Sequence, residues 1–591
     1  MSSPEASDTE AASSTLSIGG EEQSTSTSIP STSSSPILPS ATSSDLPPSP
    51  TSKTAQLSPS ERSGAASKLK DEGNQLFLKH DYEGAKVAFG KAIALDPSVP
   101  QFWSNRAACE LKLEQHGLAI EDATKAICLD ASFAKAYYRR ASAFLSILDP
   151  KSALPDLRRV AQLEPNNKTI RGQVDATTKL LRRQQFEKAI VKQDGPKAWQ
   201  RALETLRENL PTVHVEEGYE GPKLKEGPFA KEGDDPNAVG PFLGAIDQDF
   251  IDKMIEWFKD GKRLPMRYAW QIMLGAQREF LKEGTIVDYT VPEGQTIDVI
   301  GDTHGQYYDL LNLLSKTGRP SNTHALLFNG DAVDRGSWSC EVVLTILAYK
   351  WLYPKTCFFN RGNHETHDMN TVYGFEAECK AKFNEMTYKV FTDVFVSLPL
   401  ATLITASKPA IPGSELPSGS SKAQREPILF DGGIKRFFVV HGGLFAQDGV
   451  TLDNIRAVNR FAAGGQPPNS GIMHDMLWAD PCAANGRAPS KRGVGYGFGP
   501  DISKAWCTLN KITAVFRSHE VRQAGYDEEH EGLICTVFSA PNYCDQGANE
   551  GAFARVDERG TYVFHKYTAV PHPNLPPMYY SNQGGMRGML S

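Results

Sequence analysis

Gly301-Asp302-Thr303-His304-Gly305, Gly330-Asp331-Ala332-Val333-Asp334-Arg335-Gly336 and Arg361-Gly362-Asn363-His364-Glu365 all fall between Thr296 and Glu365. Each cluster follows a short apolar run: Ile297-Asp298-Val299-Ile300, Ala325-Leu326-Leu327-Phe328 and Cys357-Phe358-Phe359. Such runs predict buried strands, with the polar cluster placed where the strand ends. Ligands bind at that edge of α/β sheets. Asp, His and Asn are hard and borderline donors, the set that holds divalent metals. One Asp-x-His alone would read as a surface turn. Three clusters in order, each framed by glycine, read as one metal-binding edge.

The pattern recurs downstream. Arg436-Phe437-Phe438-Val439-Val440 runs into His441-Gly442-Gly443-Leu444, and Ile512-Thr513-Ala514-Val515-Phe516 into Arg517-Ser518-His519-Glu520. A lone histidine is more often structural than a ligand. His441 and His519 stand at strand ends in a chain that already carries Asp302, His304, Asp331 and Asn363, and so read as ligands. His367 and His474 lack that setting and read as structural.

With 591 residues the chain predicts two or more domains. A net charge of −7 is too mild for a nucleic-acid scaffold. No apolar run approaches the ~18 residues of a membrane span. Met1-Ser2-Ser3-Pro4-Glu5 is not a secretory signal by its polarity, and nine cysteines without a CxxC pair predict reduced thiols in a cytoplasmic and nuclear protein.

Residues 1–63 are dominated by Ser, Thr and Pro and are expected to be a disordered tail. Residues 64–165 repeat: Leu95-Asp96-Pro97, Leu129-Asp130-Ala131 and Leu163-Glu164-Pro165 are 34 apart, as are Gly73, Ala107, Ala141 and Ala85, Ala119, Ala153. A period of 34 with helical patterning is similar to tetratricopeptide repeats, helix pairs stacked into a solenoid with a concave groove. Lys70 and Asn74, Asn105, and Lys135 and Arg139 fall on successive first helices of the repeats. These five resemble the clamp by which some tetratricopeptide domains hold a C-terminal carboxylate. Residues 166–211 read as a helical extension and linker. A second domain is expected over 212–575, interrupted by a Pro/Gly/Ser-rich insertion at 407–434 whose ends should still pair, and followed by a tail at 576–591.

The GDxHG, GDxxDRG, GNHE and HGG set, with Ser539-Ala540-Pro541-Asn542-Tyr543-Cys544, resembles the metal-dependent serine/threonine phosphoprotein phosphatases. The preceding repeats, with Lys491-Arg492-Gly493-Val494 and Ala569-Val570-Pro571-His572-Pro573-Asn574, are similar to the tetratricopeptide branch of that family. The likeness spans about residues 66–575 and departs from the family at both tails, at the insertion and at Ala332, where the family usually carries an aromatic residue. It implies an N-terminal all-α tetratricopeptide solenoid and a C-terminal α/β metallophosphoesterase-type β-sandwich flanked by helices.

The family pattern assigns Asp302, His304 and Asp331 to one divalent metal. It assigns Asp331, Asn363, His441 and His519 to a second, with Asp331 bridging. Mn²⁺, Fe, Zn²⁺ and Mg²⁺ are the candidates. Two such ions activate a shared water for in-line attack on phosphoserine or phosphothreonine. His364 is expected to protonate the leaving alkoxide and Asp334 to hold its imidazole. Arg335, Arg460 and Asn363 are expected to bind phosphate, with Tyr543 as a site wall. The resemblance also implies a monomer that acts on phosphoproteins, binds the C-terminal tail of a heat-shock protein 90-type chaperone, and is autoinhibited by its repeats, with Glu114 reaching Arg335 and Arg460. The glycines of Asn582-Gln583-Gly584-Gly585-Met586-Arg587-Gly588-Met589 disfavour the C-terminal helix that the family uses in that lock. A cysteine-based phosphatase needs arginine six positions after a cysteine, and no cysteine here has one. The Pro541-Asn542-Tyr543-Cys544 segment and Arg460 argue against a metal nuclease or nucleotide phosphodiesterase, and the full ligand set argues against a dead scaffold.

Overall fold

The computed structural model describes residues 58–189, 197–225, 243–411 and 426–581. The sequence up to residue 57, residues 412–425 of the insertion and the glycine-rich 582–591 lie outside the described residues.

The 34-residue period folds as three helix pairs: α1 (Pro59–Leu78) with α2 (Tyr82–Leu95), α3 (Pro100–Lys112) with α4 (His116–Leu129), and α5 (Ala134–Ser146) with α6 (Pro150–Leu163). The first helix starts inside the expected tail because Ser58 and Glu61 form a capping box, Glu61 N–H donating to Ser58 Oγ at 3.3 Å and Ser58 N–H to Glu61 Oε2 at 2.8 Å. Gly73 lies against the Phe89 ring, and Ala85, Ala107, Ala119, Ala141 and Ala153 are fully buried, so the repeating small residues set the close approach of the helices. Each of the last two pairs is cross-tied by an ion pair, Arg106 to Asp122 at 2.6 Å and Arg140 to Asp156 at 2.8 Å, the second one period after the first.

α7 (Lys168–Ala189) continues the stack, and α8 (Ala198–Arg207) does not. Ala202, Leu203 and Leu206 of α8 bury in the core of the second domain, whose boundary therefore precedes the expected residue 212. That domain continues through α9 (Gln248–Lys259), α10 (Met266–Phe280), β1 (Ile286–Val291), β2 (Thr296–Ile300), α11 (Tyr307–Thr317), β3 (Ala325–Phe328), α12 (Ser339–Leu352) and β4 (Cys357–Phe359). Next come α13 (His367–Tyr373), α14 (Phe375–Lys382), α15 (Glu385–Ser397), β5 (Ala401–Ala406), β6 (Arg436–Val440), α16 (Leu452–Arg456) and α17 (Ile472–Trp478). The short strands β7 (Asp480–Pro481), β8 (Arg487–Pro489) and β9 (Tyr496–Phe498) precede α18 (Pro500–Asn510), and β10 (Ala514–Arg517), β11 (Tyr526–Glu529), β12 (Ile534–Val537), β13 (Gly551–Asp557) and β14 (Tyr562–Tyr567) complete the order.

Two sheets stack face to face. One runs β1-β5-β6-β10-β12-β11 and the other β14-β13-β2-β3-β4. Ile297, Val299, Leu327 and Phe358 of the second sheet meet Phe437, Val439, Phe516 and Val537 of the first in a core between them. Helices α8 to α10, α12 and α15 cover the outer face of the five-stranded sheet, and α16 to α18 cover that of the six-stranded one. Both sheet faces are thus buried, which accounts for the continuous apolar runs in the sequence. β2, β3 and β4 run parallel, as do β6, β10 and β12, so their C-terminal ends share one edge of the sandwich.

Two expected boundaries take on detail. The insertion is flanked by an antiparallel pair, β5 with β6, and Ala406 N–H donates to Lys435 O at 3.0 Å, so its ends meet as expected. Residues 576–581 are not a free tail: Met578 is buried, and its N–H donates to Arg335 O at 3.0 Å.

Gly275 in α10 faces α12, and a Cβ built there would lie 2.4 Å from the Trp351 indole. Replacing it by alanine improves helix propensity by about 1 kcal/mol. Overpacking against a large, buried ring costs about 1–3 kcal/mol. Gly275→Ala is therefore expected to lower the Tm of the phosphatase body; an unchanged or raised Tm in a calorimetric scan would refute this packing argument.

Candidate metal centre and active site

Five loops deliver the predicted ligands to one place. Asp302 and His304 follow β2, Asp331 follows β3, Asn363 follows β4, His441 follows β6 and His519 follows β10; all are nearly or fully buried. His304, Asp331 and His519 lie in the left-handed region, with φ of 41°, 50° and 72°. The turns that aim them are held by backbone hydrogen bonds: His304 N–H donates to Asp331 O at 3.0 Å, and His519 N–H to Asp302 Oδ1 at 3.2 Å. Glu365, whose role was not read from sequence, clasps this edge. Its carboxylate accepts from the N–H groups of Asp331, Ala332 and Gly362 at 2.8, 2.9 and 2.8 Å. At Ala332 the backbone does this work, so the departure from the usual aromatic residue leaves the loop intact.

The donors converge. His441 Nε2 is 3.3 Å from Asp331 Oδ2, His304 Nε2 is 3.7 Å from it, and His304 Nε2 is 3.9 Å from Asp302 Oδ2. The inward atom of the Asn363 amide lies 2.8 Å from His441 Nε2, 3.1 Å from His519 Nδ1 and 3.1 Å from Asp331 Oδ2. His304 Nδ1 faces Val333 O and His441 Nδ1 faces Asn329 O, which leaves each Nε2 with a lone pair turned inward. Two clusters of possible ligand atoms share Asp331: one with His304 and His364, the other with His441 and His519. Burial pushes the Asp302 carboxyl up to about 7. Burial also opposes ionisation of Asp331, but His441, His364 and His304 outweigh it and hold that carboxyl below the usual range. Crowded, buried lone pairs of oxygen and nitrogen fit divalent cations.

His364 stands beside the clusters. Its Nδ1 pairs with Asp334 Oδ2 at 2.8 Å, leaving Nε2 toward the cavity. Asp334 is further held by Asn370 Nδ2 at 3.0 Å and Phe375 N–H at 2.8 Å. Arg335 packs its guanidinium 4.0 Å from the centre of the Tyr373 ring. Tyr543 lines the same cavity, its ring 5.2 Å from that of His304.

Arg460 is a correction. Its guanidinium points away from the cavity and donates to the carbonyls of Phe280, Glu283 and Gly284, pinning the end of α10. The second arginine at the cavity is Arg492, which follows β8. Asp480 fixes its Nε at 2.8 Å, and His519 O accepts from its Nη2 at 2.5 Å. Arg492 was visible only as part of a family-like stretch, without a strand-and-histidine pattern to mark it.

Between these arginines lies Glu114, in the turn from α3 to α4 with φ of 57°. Its Oε1 is 2.6 Å from Arg335 Nη2 and 3.4 Å from the Tyr543 hydroxyl, and its Oε2 is 3.4 Å from Arg492 Nη1. Burial works against this carboxylate, but Arg335 and Arg492 outweigh it and hold its pKa at about 2. The turn is seated by Gly117 N–H, which donates to Lys491 O at 2.9 Å; a Cβ on Gly117 would stand 2.8 Å from Gly493 N. In the repeats, Asn105 Nδ2 donates to Asn74 Oδ1 at 3.3 Å, and Arg139 Nη1 donates to Ser104 Oγ at 2.6 Å and Asn105 Oδ1 at 3.2 Å. Lys135 is exposed one turn away on α5, and Lys70 pairs with Asp71 at 3.0 Å.

Residues 295–523 match the family model described as calcineurin-like phosphoesterase, and residues 174–288 match the PPP5 TPR repeat region. The chain is 44% identical over 525 residues to serine/threonine-protein phosphatase T of Aspergillus oryzae, covering 89% of this chain and 98% of that one. It is 39% identical over 526 residues to serine/threonine-protein phosphatase 5 of Rattus norvegicus, covering 89% and 95%. A solved protein serine/threonine phosphatase from Saccharomyces cerevisiae, described as similar to human phosphatase PP5, is 40% identical, covering 57% of this chain and all of that one with a TM-score of 0.49. Identity at this level along nearly the whole of both relatives, with the metal-ligand residues gathered at one sandwich edge, places the chain in the serine/threonine-protein phosphatase 5/T family, as a protein phosphatase that joins tetratricopeptide repeats to a metallophosphoesterase domain.

Proposed function

We propose that this phosphatase hydrolyses phosphoserine and phosphothreonine at a two-metal centre, that its own repeats hold the centre shut through Glu114, and that the repeat groove takes the acidic C-terminal tail of a heat-shock protein 90-type chaperone. The observation that carries this reading is the Glu114 carboxylate, lying between Arg335 and Arg492 at the mouth of the ligand cluster.

Asp302, His304 and Asp331 would hold one cation, and Asp331, Asn363, His441 and His519 the other; Mn²⁺, Fe and Zn²⁺ suit these donors, and Mg²⁺ is a weaker match. When bound, the pair supplies Lewis acidity toward phosphate oxygens and lowers the pKa of water. The chain's own groups do the rest. Arg335 and Arg492 bind the outer phosphate oxygens through the nitrogens that Glu114 now occupies. His364 delivers a proton from Nε2 to the leaving alkoxide, while Asp334 fixes the ring through Nδ1. Burial disfavours the imidazolium, but Asp331 and Asp334 outweigh it and raise the His364 pKa.

Glu114 gives the arginines a carboxylate where phosphate would bind, so substrate and repeat compete for the same nitrogens. In the groove, Arg139 donates to the neutral Ser104 and Asn105, and burial lowers its pKa to about 10. A peptide's terminal carboxylate would give it the opposite charge, with Lys135 free to meet an acidic side chain. All nine cysteines are free thiols, consistent with a reducing compartment such as cytoplasm or nucleus. We propose a monomer acting there.

His364→Asn is expected to lower kcat by about 10²–10⁴-fold, the usual worth of general acid catalysis, with metal content near wild type. Asp331→Asn should lose metal as well, and full activity of His364→Asn on phosphoserine peptide would exclude His364 as the acid. Glu114→Gln is expected to raise kcat/KM by about tenfold, the loss of a charge-assisted contact. The Glu114 pKa is about 2 against an ordinary 4.5, so its contribution is complete above the ordinary value and fades only as pH falls between the two. The activation ratio should therefore stay constant from about pH 6 to about pH 8, and a ratio that changes across that range would refute the ion-pair account. Arg139→Ala should weaken calorimetric binding of an acidic peptide with a free C-terminus by more than ~1.5 kcal/mol, and amidation of the peptide should do the same. Equal affinities would refute the clamp.

A further inference from the structure

The loop carrying Arg335 has a backbone that side-chain-bearing residues resist. Asp334 and Arg335 are both left-handed, with φ of 70° and 68°. Such strain persists only where the surroundings over-determine it. The Asp334 half is held from within the domain: its N–H donates to Ser339 Oγ at 3.1 Å, and its carboxylate takes His364, Asn370 and the Phe375 N–H. The Arg335 half is held on one side by its own N–H, which donates to Tyr373 O at 3.0 Å.

On the other side it is held by the far end of the chain. Met578 N–H donates to Arg335 O at 3.0 Å. Ser337 Oγ donates to Pro576 O at 2.7 Å and accepts from Tyr579 N–H at 3.0 Å. The Met578 side chain packs on Gly374, the turn residue after Tyr373, whose ring lies beneath the Arg335 guanidinium. The Tyr580 ring sits 5.1 Å from Lys382 Nζ, which itself donates to Ser337 O at 3.1 Å. Pro576, Met578, Tyr579 and Tyr580 thus grip both the loop of Arg335 and the turn that supports its side chain.

We propose that Pro576–Tyr580 is a positioning strap for substrate phosphate, with Met578 N–H and the Ser337 hydroxyl as its two fastenings to the Arg335 loop. The inference rests on Arg335 being a phosphate-binding residue. The strap touches neither substrate nor metal ligand; it acts by keeping the guanidinium where phosphate, or the Glu114 carboxylate, meets it. Its role is separable from that of the residues after Ser581, and its loss weakens binding of phosphate instead of releasing inhibition.

The test uses the full chain carrying Glu114→Gln, so that the repeat carboxylate does not compete. Four further forms are made in it: a chain ending at Ser581, a chain ending at Leu575, Ser337→Ala, and Arg335→Ala as the benchmark. KM and kcat for a phosphoserine peptide are measured, with Ki for inorganic phosphate and amide exchange over residues 331–337. The chain ending at Ser581 should match its parent. The chain ending at Leu575 should show KM and phosphate Ki raised about tenfold, kcat changed less, and faster exchange in the loop. Ser337→Ala should move the same way by a smaller factor. Equal Ki for the two shortened chains, or an equal loss in both, would overturn the strap. If the shorter chain does not fold, an unchanged Ki in Ser337→Ala overturns it. If Arg335→Ala leaves phosphate Ki unaltered, the assignment of Arg335 fails instead, whatever the strap variants do.

Discussion

The centre depends on keeping Asp331 ionised where water cannot reach it. The residue is 1% exposed, and its carboxylate faces the Nε2 atoms of His441, His304 and His364 at 3.3, 3.7 and 3.9 Å. Removing such partners from a buried charge leaves it uncompensated, which is among the costliest changes a fold can suffer. The sandwich supplies the compensation by geometry. His304 and His364 arrive after strands of one sheet, and His441 and His519 after strands of the other, so only two stacked sheets with their C-terminal ends aligned can bring them together. Glu365 then locks the turn, its carboxylate taking three backbone N–H groups that would otherwise be buried without partners.

The same economy of charge explains the repeat domain's position. Arg335 and Arg492 are aimed at one small space; Arg335 is buried there, and Arg492 already pairs with Asp480 through Nε. Glu114 meets both. It reaches them because the turn after α3 is left-handed at Glu114 and because Gly117 allows α4 to approach the loop at Lys491 within hydrogen-bond distance. A ligand on the repeats can shift this closed arrangement only by as much as it prefers the open one.

Several residues at the centre have left-handed backbone. His304, Asp331, Asp334, Arg335 and His519 all have positive φ. Loops like these hold their shape through hydrogen bonds, several from distant segments: Tyr373 and Met578 for Arg335, Asp302 for His519, with the nearby Ser339 for Asp334. Precision at the site is therefore a property of the whole domain, including Pro576–Tyr580, and not of the motifs alone.

What the sequence by itself determined follows from locality. Strand followed by Asp, His or Asn is a pattern of neighbouring residues, so the six candidate ligand positions were legible without a structure, while the roles of His364 and Asp334 came from family likeness. The 34-residue period was legible because each repeat buries the same small residues against its own partner helix. Glu114 was placed by family likeness, and its turn bears it to the arginines. Tertiary structure alone decided which arginine joins Arg335. Arg460 and Arg492 both follow loops with no periodic pattern, and a long side chain can serve either the cavity or a row of carbonyls; packing of α10 gave Arg460 the carbonyls, and Asp480 turned Arg492 to the cavity. The same holds for α8, whose amphipathic face could have joined either domain, and for Pro576–Tyr580, whose partners lie some 240 residues earlier in the chain. Contacts between segments so far apart leave no local pattern, because they are set by where the folded surfaces meet.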